Sequence, residues 1–482
     1  MSNTVMGRTA SETLRPASIG QHPWTEYSES YRAKEIASLV RWIVTGASGS
    51  IIGLNGSGKS DLTWLPLLSS RCVATTLAGT GAVGYRVAGG SKQPAQHNTL
   101  AALFRVILRT FYEHRTRFDS ATQELISRLY LENRAATDPF LSQSALRELL
   151  LDFQQRRHRV VFALDRFDLF CRMLTPEMSD ALRGLRDSFK DTLSYIASMR
   201  LGLAYLPEPD LLGNLLRLLD QHICYVGPMN EDDTVDTIGR RTALAAAPPT
   251  ADEVAQIRHL TGGYPALVMF VCRWWQNQVT RMPLDAWQEL LLREVGVRHR
   301  LEDIWESLTQ EEQVVLTEIQ KSTLLGRTAN QRMGDRYADV LRNLAERGLC
   351  VQVDDEWQIF SGLFAAYVAA VGGVSRGKIW FNEEAQTLYY GEEILTDLTP
   401  KEQAILQFLV QEPRTNHTYT DIIVAAWSDE ERYNGVSTEN LQQVIRTLRV
   451  KIEPNPSHPV YIVTWRNKPE GGYIFFPEGR PR

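Results

Sequence analysis

The chain has 482 residues, enough for three or four domains at roughly 100–200 residues each, and its 43% hydrophobic and 23% charged content suits well-packed cores. A net charge of −5 excludes a protein coated in basic surface for nucleic acid, so any DNA contact has to be a local patch. The five cysteines (Cys72, Cys171, Cys224, Cys272 and Cys350) form no C-x-x-C pair or Cys/His cluster, which argues against zinc and a disulfide framework and for a reducing compartment.

Residues 1–24 are polar and irregular and read as a mobile leader without an apolar signal core. No apolar run approaches the ~18 residues of a membrane span, so the expectation is a soluble, cytoplasmic chain with no membrane partner. Tyr31 to Val44 sets Ile36, Leu39, Val40 and Ile43 on one helical face. The break at Gly46 to Gly49 and the apolar pair Ile51-Ile52 then lead into Gly53-Leu54-Asn55-Gly56-Ser57-Gly58-Lys59-Ser60. This fits G-x-x-x-x-G-K-[ST], the phosphate-binding loop of P-loop NTPases. Gly53, Asn55, Gly56, Ser57 and Gly58 can wrap a phosphate with inward-pointing N–H groups. Lys59 can reach the β- and γ-phosphates, and the Ser60 hydroxyl can ligate Mg²⁺. A helix starting near Asp61 would add its dipole to the same anion site.

Gly79 to Pro94 is rich in Gly, Ala and Ser and reads as a loop, whereas Leu100 to Tyr130 and Gln143 to Arg157 read as helices. Val160 to Asp165 is a continuous apolar strand ending in an acid, the Walker B pattern, which makes Asp165 a candidate to hold the Mg²⁺ shell. Arg166 follows it directly, and a guanidinium stays protonated and cannot serve as a base. Asp168 is the remaining candidate for a catalytic acid, so the expectation is ATP (or ADP) and Mg²⁺ binding with slow or absent hydrolysis.

Arg32 and Glu35 ahead of the P-loop form an R-x-x-E pattern that resembles AAA+-related and STAND ATPases. The strand Tyr195 to Arg200 resembles their sensor-1 strand, which implies Ser198 or Arg200 near the γ-phosphate. Cys224 to Asp233 resembles the segment that closes their nucleotide core. Thr261-Gly262-Gly263-Tyr264-Pro265, between two helices, resembles the lid turn of STAND ATPases, which implies Pro265 near the adenine. The helices of residues 301–370 and a hairpin across Asp354-Asp355 resemble the winged helix that follows such a lid.

Leu398 to Leu409, Ala426-Trp427, Val436-Ser437, Ile445 to Ile452 and Tyr461 to Phe475 resemble in order the OmpR/PhoB-type output domain of response regulators. That resemblance implies a recognition helix and wing that touch double-stranded DNA through Asn440, Val444, Arg446, Thr447, Arg449, Thr464, Arg466 and Lys468. Residues 376–482 hold 12 Lys/Arg against 15 Asp/Glu, a net charge of −3. Over the helix end and wing, however, Arg446, Arg449, Lys451, Arg466 and Lys468 face one acid, Glu453, which is the segregation a docking patch requires.

The fold class is therefore an α/β P-loop NTPase core with a parallel sheet (25–250), a helical lid (251–300) and a first winged helix (301–370). A linker (371–377) and an OmpR/PhoB-type winged-helix domain (378–482) follow. Two functions stay open: a regulator whose nucleotide state controls DNA binding, and a signalling or defence scaffold that homo-oligomerises and docks a protein through its C-terminal winged helix.

Overall fold

The computed structural model describes residues 28, 30–62, 82–88, 99–206, 209–245, 247–278, 280–325, 327–372, 377–433, 435–465 and 470–481. Five parallel strands form the central sheet in the order β2-β3-β4-β1-β5: β1 Gly49–Ile52, β2 Ala82–Ala88, β3 Arg159–Asp165, β4 Leu193–Met199 and β5 Ile223–Tyr225. β1 and β4 are buried along their whole length, and β3 along all but its first residue, as their apolar runs require. β1 lies between β4 and β5, so the chain reverses its winding there and opens a crevice at the carboxyl ends of the strands.

β2 corrects the expectation of a loop over Gly79 to Pro94. Its glycine and alanine content hides strand character, which the seven-residue parallel register from Ala82↔Arg159 to Ala88↔Asp165 supplies. The helical stretch after Leu100 also divides. The helix Leu100–Glu113 stops, and Asp119 caps a new one, Ser120–Asn133, by accepting the Thr122 N–H at 3.1 Å.

Beyond the sheet, the helices Ala251–Thr261 and Pro265–Gln276 share one continuous core with the unit that follows. That unit comprises Gln310–Leu325, Arg327–Arg336 and Ala338–Glu346, a hairpin β6 (Cys350–Val353) with β7 (Glu356–Ile359), and Gly362–Val371. Thr309 and Glu312 form the capping box that starts its first helix. Asp354 and Asp355 turn the hairpin at φ 49° and 65°.

The C-terminal unit has its own core. An antiparallel sheet of β8 (Ile379–Asn382), β9 (Thr387–Tyr390) and β10 (Glu393–Ile394) precedes the helices Pro400–Gln411, Tyr419–Ala426 and Thr438–Ile452. The wing closes it in the order β11-β13-β12, with β11 Asn416–Thr418, β12 Ile462–Trp465 and β13 Gly472–Phe475. Among the described residues no helix is long and apolar enough to cross a membrane.

Candidate nucleotide site and DNA-facing surface

The P-loop follows β1 and ends in a helical turn at Lys59 to Leu62. Gly56 and Gly58 hold φ of 85° and 90°, a left-handed backbone that glycine adopts without strain. A Cβ on Gly56 would also sit 2.5 Å from the Ala266 Cβ, because the lid packs directly on the loop. Two hydrogen bonds fix that contact: Tyr264 Oη donates to Asn55 O at 2.7 Å, and Ala266 N to Gly56 O at 3.1 Å. From the other side the Arg32 guanidinium, 2% exposed, donates to Ser57 O (2.9 Å), Gly227 O (2.8 Å) and Pro228 O (3.2 Å) and pairs with Glu35 at 3.1 Å. Arg32 therefore ties the loop to the segment after β5.

A cavity of about 650 Å³ opens above the loop. Of the residues the sequence singles out, it brings together Asn55, Gly56, Gly58, Lys59, Ser60, Asp165, Asp168, Ser198, Arg200 and Pro265. Gly53 and Ser57 lie behind the wall: a Gly53 Cβ would meet Val226 O at 2.5 Å, and Ser57 is fully buried. Asp168 faces the cavity because a single helical turn, Phe167–Phe170, starts immediately after β3. Arg166 begins that turn in a left-handed conformation, φ 52°, with its N–H donated to Asp165 Oδ1 at 3.0 Å.

Sequence reasoning did not assign Tyr31, Arg172, Met229, Thr237, Arg241 and Met269 to the site, yet all six line it. The helical spacing from Asp168 to Arg172 was the one available signal for Arg172. Met229 and Met269 come from separate segments, and only the fold joins them.

The lining of the cavity is rich in cationic groups. Lys59 Nζ donates to Leu54 O at 3.0 Å, and burial pushes its ammonium down to about 8, against the opposing pull of Asp168 and Asp165. The side chains of Arg166, Arg172, Arg200 and Arg241 make no hydrogen bond or ion pair with the described residues, and Arg200 Nε and Ser198 Oγ are buried without a partner. Five cationic side chains thus line a space that holds three carboxylates, Asp61, Asp165 and Asp168. This donor set fits the phosphates of a nucleotide with its divalent cation. Ser60 and Asp165 are the protein groups available to the cation, and no larger cluster of His, Cys, Asp and Glu occurs among the described residues.

On the recognition helix Thr438–Ile452, Leu441, Ile445, Leu448 and Ile452 face the core, while Asn440, Gln442, Gln443, Arg446, Thr447 and Val450 are exposed. Asn440 accepts from the Ser437 hydroxyl at 2.9 Å in the N-cap, and Thr447 donates to Val444 O at 2.9 Å. Gln443 was missed, although it stands opposite the buried set at helical spacing.

Two DNA-facing expectations are corrected. Val444 packs against the domain core. Arg449 donates to Ile462 O (2.6 Å through Nη2) and Thr464 Oγ1 (3.0 Å) and lies 5.4 Å from the Tyr473 ring centre, so it fastens the helix to the wing. The charge segregation also weakens, since Lys451 pairs with Glu402 at 2.8 Å. Glu453, 6% exposed, accepts the N–H groups of Val460, Tyr461 and Ile462. Arg466 and Lys468 lie outside the described residues.

Fold and site together define a P-loop α/β core joined to winged helices. Residues 391–475 match the family described as "Transcriptional regulatory protein, C terminal", which agrees with the winged helix seen there. Among solved structures, the chain is similar to a Walker-type ATPase of Pyrococcus abyssi at 16% identity, covering 70% of this chain and 95% of that one (TM-score 0.39). It is similar to the Aeropyrum pernix ORC2 protein in ADPNP–ADP complexes at 15% identity, covering 72% and 95% (TM-score 0.40). A third is Cdc6p from Pyrobaculum aerophilum, at 14% identity, 72% and 96% coverage and a TM-score of 0.33. No curated protein matches the chain in a sequence comparison.

Proposed function

We propose that this chain is an ATP-binding, STAND-like transcriptional regulator whose nucleotide state controls its C-terminal winged helix. The observation that carries the proposal is the convergence of P-loop, Asp165, Arg200 and Pro265 on one cation-rich cavity, with the lid bonded to the loop through Tyr264 and Ala266. Lys59 holds the β- and γ-phosphates, Ser60 and Asp165 hold Mg²⁺, and Pro265 packs beside the base. The lid passes this state on. A Cβ on Gly262 would lie 2.0 Å from Phe360 O and one on Gly227 2.4 Å from Arg347 O, so lid, core and first winged helix are in backbone contact. Arg166 cannot take a proton from water, which makes the site a binder of ATP more than a consumer of it. Lys59→Ala tests the site: calorimetry should show ATP binding lost, and retained affinity would refute the assignment.

The output is duplex DNA, read by the exposed face around Gln443, Arg446 and Thr447, with Thr464 beside it. A second reading, an oligomerising scaffold that docks a protein, is favoured by one observation. Among the described residues of the recognition helix, Arg449 and Lys451 are engaged inside the domain while Val450 is 66% exposed. Failure to bind any duplex at low salt would favour this second reading.

A further inference from the structure

Behind the cavity, three segments distant in sequence meet. Arg200 lines the cavity just past β4, and the chain then makes the short turn Leu203–Tyr205. The end of the C-terminal domain folds onto that turn. Tyr205 Oη donates to Glu478 Oε1 at 3.0 Å, Arg480 Nη2 donates to Tyr205 O at 3.0 Å, and the Tyr205 and Phe476 rings are 6.2 Å apart. Arg414 donates to the same Glu478 oxygen at 2.7 Å. The Glu478 carbonyl accepts the Glu311 N–H at 3.3 Å, from the first helix of the first winged helix. A Cβ on Gly479, φ 75°, would lie 2.6 Å from Gln310 Cγ, so the wedge fits tightly. Asn416 Nδ2 adds a bond to Asp210 Oδ2 at 2.7 Å. Residues 477–480 thus lock the C-terminal domain to both the core and the first winged helix.

Arg480 is bonded to that turn, a few residues past Arg200, and burial first, then repulsion from Arg172 and Arg200 on the cavity wall, hold its guanidinium below the ordinary value. We propose that phosphates held by Arg200 fix the short turn Leu203–Tyr205 on which residues 476–480 sit, so that an occupied cavity holds the C-terminal domain docked. By linkage the docked Arg480 raises nucleotide affinity by the same factor. This inference rests on the reading of the cavity as a nucleotide site. Docking orients the recognition helix without covering it, because Gln443, Arg446 and Thr447 stay exposed in the docked arrangement.

The test uses the full chain, with ATP–Mg²⁺ and ADP–Mg²⁺ as probes. Calorimetry reads nucleotide binding, and hydrogen-exchange mass spectrometry reads peptides covering 310–316 and 476–482, none of which lines the cavity. Exchange in both peptides should slow on adding ATP–Mg²⁺, and less with ADP–Mg²⁺. Arg480→Ala should remove the slowing and weaken ATP binding by about fivefold, the low end of typical coupling, while Arg480→Lys keeps both effects. Normal ATP binding with unchanged exchange, or wild-type affinity in Arg480→Ala, would overturn the wedge and leave the nucleotide site standing. Absence of ATP binding to the wild-type chain would overturn both.

Discussion

At the scale of single residues, Lys59 and Arg166 set what the cavity does. Lys59 has its ammonium pushed down to about 8 by burial. Bound phosphate raises that value, so above pH 8 each binding event takes up a proton. Nucleotide affinity should therefore be level well below pH 8, bend near it and fall by up to tenfold per unit above it, as linkage requires. Titration calorimetry from pH 7 to 9.5 checks this, and a flat profile would mean that the ammonium does not meet the phosphates. Arg166 enters the cavity wall where an acid would be needed to activate water. Purified protein should turn over ATP far below the ~1–100 s⁻¹ typical of phosphoryl-transfer enzymes. A coupled phosphate-release assay measures it, and turnover within that range would return Asp168 to the role of catalytic acid.

At the scale of elements, the P-loop, β3, β4 and the lid turn were legible in the sequence because local chemistry constrains each of them. Glycines at φ 85° and 90°, an apolar run ending in Asp165, and a Gly-Gly-Tyr-Pro turn are patterns that few other structures demand. The recognition helix was legible in its period, which placed Ile445, Leu448 and Ile452 in the core correctly. Its polar face was misread where the outcome depends on a distant strand: a helical wheel places Arg449 at the groove and cannot show Ile462 O waiting beside it. β2 escaped because its pairing partner, β3, supplies the order that its own composition lacks. Arg241 escaped because only tertiary structure brings it to the cavity, and Arg172 because its one signal was its spacing from Asp168. The revised assignment separates two variants. Arg446→Ala should weaken duplex binding at every salt concentration and reduce the salt slope by about one ion. Arg449→Ala should instead lower the melting temperature of the C-terminal domain, read by calorimetry, since it leaves Ile462 O and Thr464 without their donor.

At the scale of the molecule, the lid and first winged helix share one core, the C-terminal domain has another, and both reach the P-loop core through short, specific contacts. On the proposed function, such an arrangement offers two routes from nucleotide to output: the lid turn against Phe360, and the wedge of residues 477–480 against Tyr205. Neither route needs hydrolysis, because occupancy alone changes the charge of the cavity. A nucleotide with different affinity for two arrangements shifts their populations by that difference. The claim that joins the two halves of the chain is that nucleotide occupancy controls DNA binding. Its most direct test is the affinity of the full chain for duplex DNA, measured at fixed salt with and without saturating ATP–Mg²⁺, alongside Lys59→Ala. The affinity should change several-fold with ATP–Mg²⁺ in the wild type and not at all in Lys59→Ala; equal affinities in the wild type with and without nucleotide would show that occupancy does not control DNA binding.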